Sequence, residues 1–220
     1  MRMNQGKTFL AIVLISTFFF IVLTMSSTVI AEIIYVDAGG SADFTSIQEA
    51  IDNANESDTI HIYSGIYNEN LLISKSIQLR GDDSESTLIR GMQSASVHTI
   101  KITADNVSVR DVTISNELRQ SQDFPCIFVD GAVGFKLDSC IITKGERGIL
   151  LQYAINAEIK NCVIENNNQK GVKLYFADEC LIHDNQIKNN GDGMRLHGSD
   201  ENMIYNNIIY QYNIGNAAGF

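Results

Sequence analysis

Apolar residues recur at fixed offsets in the second half of the chain, in tandem units of 22 to 23 residues. The units open at Cys126, Gly148, Gly171 and Gly193, and a fifth begins at Gly215. Repeats with a period in this range are typical of solenoids, in which successive coils stack along one axis. The sequence therefore predicts that residues with the same offset lie above one another in adjacent coils.

Three offsets are apolar in every complete unit and predict the buried ladders. One and three residues after each opening residue stand the pairs Ile127/Val129, Ile149/Leu151, Val172/Leu174 and Met194/Leu196. Sixteen residues in, the column is Ile142, Ile164, Ile187 and Ile209. This alternation fits short strands rather than helices, and the frequent β-branched residues, Gly and Asn do not fit a leucine-rich repeat. The pattern predicts an all-β fold, a single-stranded parallel β-helix.

The segment before the regular units predicts a first strand at Ile33–Val36 and then a helix of about ten residues that begins with overlapping capping boxes at Thr45 and Ser46. One face of this helix is apolar: Ile47, Ala50, Ile51 and Ala54. We expect the helix to cap the open end of the first coil, since a solenoid must hide its terminal apolar surface. Strands are then predicted at Ile60–Tyr63, Leu71–Ile73, Ile77–Leu79, Thr87–Ile89, Thr99–Ile102 and Val107–Ile114.

Residues 1–31 have the order of regions of a secretory signal, with two basic residues and no acidic one, an apolar run, and Ala31 at the expected cleavage site. Cleavage would leave one β-helix domain, residues 32–220, outside the cytoplasm: secreted, periplasmic or at the cell surface, with no membrane span. An uncleaved anchor is the alternative, because Phe9–Met25 is almost long enough to span a bilayer. At the other end the coil from Gly215 stops without a cap, which indicates a truncated chain, further coils or a capping partner.

The chain is acidic, with 26 Asp and Glu residues against 16 Lys and Arg residues, two of which lie in the signal segment. This balance excludes nucleic acid and anionic membrane surfaces as favoured partners, whereas neutral glycans or cations suit it.

Two of the four cysteines, Cys140 and Cys162, share offset fourteen in adjacent coils. Strands about 4.8 Å apart lie within disulfide range, but in-register side chains point in parallel, so buried thiols are favoured over a disulfide. We expect Cys126 and Cys180 to be unpaired. Asn residues are frequent at the coil corners, where they stabilise left-handed backbone and can form ladders in the Cys140 column, which Asn185 and Asn207 continue.

Candidate functional groups lie at offsets two and four, which alternate with the buried pair. They are Phe128/Asp130, Leu150/Gln152, Lys173/Tyr175 and Arg195/His197. The columns become polar, aromatic and basic toward the C-terminus, a combination that can hold a sugar chain. The candidate ligand-binding residues are therefore Asp130, Gln152, Lys173, Tyr175, Arg195 and His197, and an ordinary solvated face is the alternative.

Acidic pairs at offsets seven and eight, Asp178-Glu179 and Asp200-Glu201, stack in successive coils. Carboxylates from two turns are ligands that calcium prefers, so these four residues are a candidate calcium site. Carboxylates in water that splay apart are the alternative.

The segments Asp43–Ile51, Asp58–Ile60 and Gly65–Asn70 resemble the opening of pectin methylesterases and of the periplasmic β-helix proteins that help to mature nitrous-oxide reductase. The resemblance covers about residues 33–214 and implies a right-handed β-helix of the pectin-lyase-like superfamily, which includes esterases, lyases, epimerases and non-enzymes.

The catalytic motifs of the esterases, Gln-Asp-Thr-Leu and Asp-Phe-Ile-Phe-Gly, are not present in the sequence. The corresponding positions fall near Arg147 or Gly148 and near Gly171, which cannot act as nucleophile or acid.

The favoured function is accordingly glycan binding or structural display at the cell surface. One alternative is a polysaccharide-active enzyme, a lyase, hydrolase or epimerase, with its functional groups among Asp130, Lys173, Tyr175, Asp178, Asp200, Arg195 and His197. The other alternative, a periplasmic accessory protein for metal-enzyme maturation, is implied by the resemblance alone.

Overall fold

The computed structural model describes residues 30–92, 98–116 and 124–211. The chain divides into the units Met1–Ile30 and Ala31–Phe220, and the fold described here is that of the second. The signal segment, residues 1–31, falls almost wholly outside the described residues, and so does the coil expected from Gly215. Signal cleavage and the nature of the C-terminal end therefore stay predictions.

The described residues form three parallel sheets, and the chain visits them in turn. Sheet A consists of β1 (Ile33–Val36), β2 (Thr59–Ile62), β5 (Gln78–Gly81), β8 (Ser108–Arg110), β11 (Lys136–Asp138), β14 (Glu158–Lys160), β17 (Leu181–His183) and β20 (Met203–Tyr205). Sheet B consists of β3 (Gly65–Asn68), β6 (Thr87–Arg90), β9 (Thr113–Ser115), β12 (Ile141–Thr143), β15 (Val163–Glu165), β18 (Gln186–Lys188) and β21 (Ile208–Tyr210). Sheet C consists of β4 (Leu71–Ile73), β7 (Ile100–Ile102), β10 (Pro125–Asp130), β13 (Arg147–Gln152), β16 (Lys170–Tyr175) and β19 (Asp192–His197). This is the parallel β-helix that the repeat predicts.

Residues with equal offsets pair in register, as the repeat requires. In sheet C, Ile127 pairs with Ile149, Ile149 with Val172, and Val172 with Met194. The offset-sixteen isoleucines pair in the same way along sheet B. The predicted ladders are therefore confirmed, and they line the buried interior of the solenoid until the last described coil.

A fourth buried ladder, which is not among the predicted ones, runs along sheet A at offset eleven. Its members in the regular units are Leu137, Ile159, Ile182 and Ile204. In the last described coil the inward residues Leu196, Ile204 and Ile209 are exposed, with no further described strand beside them.

The helix α1 spans Ile47–Asn53 and packs against β1, β2 and β4, as expected of a cap for the first coil. It has seven residues instead of the expected ten or so, because Ala54 is extended and the N–H of Asn55 bonds the buried Asp58 carboxylate at 2.7 Å. Ser46 caps the helix by accepting a hydrogen bond from the N–H of Glu49.

Charged side chains from the first full coil clamp both ends of α1. The Glu69 carboxylate accepts hydrogen bonds from the N–H groups of Ile47 and Gln48, each at 2.9 Å. At the other end the Lys75 ammonium donates to the carbonyls of Ile51, Asp52 and Ala54. These contacts place opposite charges at the two ends of the helix dipole.

The side chain of Gln48 on α1 covers the free edge of β4. Its amide oxygen accepts from the N–H of Leu72 at 2.8 Å, and its amide nitrogen donates to the Leu72 carbonyl at 3.3 Å. Gln48 thus takes the place of a neighbouring strand, which protects this edge from pairing with another chain.

Two other strand predictions differ from the structure. The predicted strand Val107–Ile114 is divided into β8 and β9, because Asp111 adopts a left-handed conformation with φ 58° and turns the chain. β3 was missed, because its sequence GIYN has only one inward apolar side chain, Tyr67.

Buried Asn side chains connect the coils at the corner between sheets A and B. The Asn185 oxygen accepts from the N–H of Cys162 at 2.9 Å, and its amide nitrogen donates to the Ile159 carbonyl and to the Asn207 oxygen, each at 2.9 Å. The ladder expected in this column is confirmed. It satisfies backbone groups that the corner would otherwise leave unpaired in the core.

All four cysteines are free and buried, which confirms the prediction of thiols over a disulfide. Burial raises the pKa of Cys126 to about 12, and burial together with the neighbouring Cys162 raises the pKa of Cys140. Thiols with raised pKa values are poor nucleophiles, so these residues act as core side chains.

We expect Asn185→Ala to lower the free energy of unfolding by about 2 kcal/mol or more, because it leaves several buried polar groups without partners. Asn168→Ala is the control, because Asn168 is exposed and its loss should change stability by no more than about 0.5 kcal/mol. Urea unfolding of both variants measures the difference. Equal destabilisation by the two substitutions would contradict the structural role of the ladder.

Candidate functional site

The outer face of sheet C carries all six candidate ligand-binding residues. At offset four, Asp130 pairs with Gln152, Gln152 with Tyr175, and Tyr175 with His197. At offset two, Lys173 pairs with Arg195 on the same face. The strand register thus places these residues in columns on one face, although they belong to four successive coils.

Four aromatic rings form a continuous cluster at the carboxyl end of β13, β16 and β19, which we name the aromatic edge: Tyr153, Tyr175, Phe176 and His197. Tyr175 stacks on His197 with centroids 5.2 Å apart and an interplanar angle of 7°. Tyr153 stacks on Phe176 at 5.9 Å and 12°. Tyr175 and Phe176 meet edge to face at 4.6 Å, which joins the two stacked pairs.

Tyr153 and Phe176 occupy a backbone conformation that is unfavourable for bulky side chains. Their φ angles are 52° and 49°, whereas the equivalent offset-five positions in the neighbouring coils are Gly131 and Gly198. The left-handed conformation costs an L-residue about 1–2 kcal/mol, and glycine adopts it freely. Both rings are nevertheless substantially exposed, at 52% for Tyr153 and 42% for Phe176. The fold therefore holds two strained aromatic residues in contact with solvent.

Gly198 supports the position of the Phe176 ring. A Cβ atom at Gly198 would lie 2.5 Å from Cε1 of Phe176, so the ring rests directly against the glycine backbone. Glycine is required here both for φ 57° and for this close approach.

Cationic groups lie beside the aromatic edge. The Lys173 ammonium is 5.1 Å from the centroid of the Tyr175 ring, within the range of a cation–π interaction. Arg195, on the next strand, is exposed. Although the whole chain is acidic, this part of the face presents positive charge and hydrogen-bond donors.

The upstream part of the same face is apolar and covered at offset two. Phe128 and Leu150 are only 9% and 7% exposed. The ring of Phe128 contacts His98 at 4.6 Å, and the Lys101 ammonium lies 5.3 Å from its centroid. In the regular units, the side chains at offset two therefore reach solvent only from β16 onward.

Asp130 and His98 belong to this upstream cluster. Asp130 forms an ion pair with Lys101 at 3.1 Å. Nδ1 of His98 is buried and forms no hydrogen bond within the described part of the chain. Burial, with a further contribution from the Lys101 charge, lowers the pKa of His98 to about 4, while Asp130 opposes this shift.

The acidic pairs of the candidate calcium site lie on the turn beyond the aromatic edge. The Asp178 carboxylate accepts a hydrogen bond from the N–H of Asp200 at 2.7 Å, so it stabilises the next coil's turn. Glu179 and Glu201 adopt equivalent left-handed conformations, each with φ 57°. Over residues 30–92, 98–116 and 124–211 no group of three or more His, Cys, Asp or Glu residues is arranged to hold a metal ion. Calcium binding stays a prediction from the sequence.

Tyr153, Phe176 and His98 are the residues of this face that sequence reasoning missed. For the first two a signal existed, because large aromatic residues occupy an offset at which the flanking coils have glycine. His98 gave no comparable signal, since it precedes the regular units and shares its offset with no other histidine.

The family model described as right handed beta helix region matches residues 98–220, and a pectinesterase model matches residues 33–139. No curated protein sequence matches the chain significantly. In the described part of the chain, no helix has the length and apolar character needed to cross a membrane.

Several solved structures have a similar fold. Pectin methylesterase from carrot shares 22% identity over 80% of this chain and 65% of its own, with a TM-score of 0.58. Pectin methylesterase PemA from Erwinia chrysanthemi shares 16% identity over 72% of this chain and 54% of its own, with a TM-score of 0.54. An alginate lyase from Paenibacillus sp. str. FPU-7 shares 16% identity over 84% of this chain and 78% of its own, with a TM-score of 0.60. This chain spans less than two thirds of the two esterases, and identities this low establish a common fold only.

We expect His98 to make the protein less stable as the pH falls from about 6.5 to about 4. In this window the imidazole of the unfolded chain binds a proton that the folded state does not, so acid favours unfolding. His98→Phe keeps an aromatic ring in the cluster and should reduce the difference between the free energies of unfolding at pH 7 and pH 5. Parallel pH profiles for the two proteins, measured by urea unfolding, would show that His98 titrates normally.

Proposed function

Because the chain belongs to the family of right-handed β-helix proteins, we propose that the outer face of sheet C binds a polysaccharide, such as a cell-envelope glycan, with the aromatic edge as its central contact. The protein would act as a glycan-binding or glycan-displaying module outside the cytoplasm. The sequence features of residues 1–31 support this location.

The observation that carries the proposal is the strained and exposed pair Tyr153 and Phe176. Each could be replaced by glycine without loss of backbone fit, as the coils on either side demonstrate. Neither ring contributes to the buried core. Strained backbone conformations cluster at functional positions, and here two of them carry solvent-exposed aromatic rings.

The chemistry of the aromatic edge fits a sugar chain. The C–H faces of a sugar ring can pack on the exposed aromatic rings, and the hydroxyl groups need nearby donors and acceptors. Gln152, Lys173 and Arg195 supply amide, ammonium and guanidinium groups on the same face. Lys173 and Arg195 could also form ion pairs with the carboxylates of acidic sugars.

A polysaccharide-active enzyme is the second candidate, and the similarity in fold to pectin methylesterases and an alginate lyase favours it. The face carries groups able to transfer protons, among them Asp130, Tyr175 and His197. In the upstream cluster, however, Asp130 is paired with Lys101. The six candidate ligand-binding residues therefore suit a binding surface better than they suit catalysis by a closely spaced acid and base.

We expect Phe176→Gly to weaken retention of the protein on its polysaccharide while leaving its stability unchanged or slightly raised. The substitution removes one ring of the platform and relieves about 1–2 kcal/mol of backbone strain. Affinity electrophoresis against acidic and neutral polysaccharides, with thermal unfolding in parallel, measures both effects. Tyr205→Ala is the control, because Tyr205 is an exposed aromatic residue on sheet A. Retention that is equal in Phe176→Gly and the unsubstituted protein would overturn the proposed site.

Under the binding proposal, incubation with the retained polysaccharide should release no product. New reducing ends, unsaturated sugars or methanol, measured over several hours, report hydrolysis, elimination or ester cleavage. Product formation that Tyr175→Ala or His197→Ala abolishes would instead establish the enzymatic alternative.

A further inference from the structure

A polar cleft of about 370 Å³ lies at the opposite end of β16 from the aromatic edge. It is formed by the turns that lead from sheet B into sheet C, and its walls are residues 166–168, residues 189–191 and Gln211. Since β16 is six residues long, roughly 20 Å separate the cleft from the aromatic edge at about 3.3 Å per residue. We name it the amide cleft.

The floor of the amide cleft is rigid. Asn167 and Asn190 are buried and belong to a second Asn ladder, in which the Asn190 oxygen accepts from the backbone N–H of Asn167 at 3.0 Å and from its side chain at 2.9 Å. The Asn190 amide nitrogen donates to the Ile164 carbonyl at 2.9 Å. These bonds fix the positions of the two turns relative to each other.

The rim of the cleft offers amide groups to a ligand. Asn166 is exposed, and its side chain forms no hydrogen bond in the described part of the chain. The amide nitrogen of Asn168 donates to Glu146 at 3.1 Å, which orients the side chain. Gln211 is held in a similar way by the Gly191 carbonyl at 3.4 Å.

The lining excludes several ligand classes. Among the described residues the lining contains six Asn and Gln side chains and one Gly, and the nearby carboxylate of Glu146 is engaged by Asn168. An ion would therefore lose its hydration without a counter-charge in this lining. The described lining also has no large apolar side chain, so an apolar ligand would bury little surface. The floor amides are occupied by the ladder, whereas the rim amides of Asn166 and Asn168 carry donor and acceptor atoms that match the hydroxyl groups of a neutral sugar. A volume near the lower end of the roughly 300–1,000 Å³ typical of ligand pockets suits a small molecule of this kind.

We propose that the amide cleft is a binding subsite for one neutral sugar unit. This inference rests on the proposed function, because it assigns a second contact to the same glycan, at the edge of sheet C. It also differs from that proposal in chemistry, since the cleft would recognise hydroxyl groups by amides, without aromatic stacking and without charge.

The test uses neutral monosaccharides as probes, namely glucose, galactose, mannose, xylose and arabinose, with saturation-transfer NMR and titration of the full chain. We expect at least one to bind, and we expect binding to be about tenfold weaker or worse in Asn166→Gly/Asn168→Ala, which removes two amides. Glycine at position 166 preserves the left-handed backbone, where φ is 56°. Asn161→Gly is the matched control, because Asn161 is exposed with φ 53° at a corner outside the cleft.

Three results would overturn the inference: no neutral monosaccharide binds, the control variant loses binding equally, or Phe176→Gly loses binding while the cleft variant keeps it. Polysaccharide retention by the unsubstituted protein, measured in the same samples, tests the proposed function separately. Retention without monosaccharide binding would reject the amide cleft and keep the aromatic edge. Monosaccharide binding at the cleft without retention would reject the proposed function of the aromatic edge and keep the subsite.

Discussion

Every corner of this β-helix must turn the chain from one sheet into the next while leaving no buried backbone group unpaired. The corner residues meet the first demand by adopting left-handed conformations, for example at Asn161, Asn166, Asn189 and Asn206. The side chains that follow them meet the second, because they stack in columns and bond the backbone of adjacent coils. This stacking requires an invariant register. The outer faces inherit that register, so a functional group on one coil has a fixed neighbour on the next.

The same constraint explains what the sequence reveals. An inward column needs apolar residues at one offset in every coil, so the ladders at offsets one, three and sixteen could be predicted. The ladder of Leu137 and Ile159 shows the same apolar pattern, at offset eleven, although it was not assigned from the sequence. Irregular coils carry less information. The division between β8 and β9 depends on the conformation of Asp111, and the length of α1 depends on a bond from Asn55 to a side chain three residues later.

The functional face could be predicted only in part, for a physical reason. Residues that point outward are free to vary, so their chemistry is visible as a column without any indication of what covers them. Phe128 and Lys173 share an offset, yet the first is buried beneath His98 and Lys101 and the second borders an exposed cluster. The contacts that distinguish them come from residues outside the repeat. Side-chain burial on an outer face therefore requires the three-dimensional structure.

At offset five, two residues differ from those that folding alone would favour. If the turn served only to connect sheet C to sheet A, glycine would be the best residue in every coil, as at Gly131 and Gly198. Two successive coils instead carry Tyr153 and Phe176, and the following glycine accommodates the Phe176 ring. The rings contact one another and extend the stack of Tyr175 and His197. A preference for folding stability alone does not account for two strained aromatic residues that remain exposed. A ligand that covers these rings would remove their apolar surface from water, and the resulting free-energy gain can offset the strain of the turn.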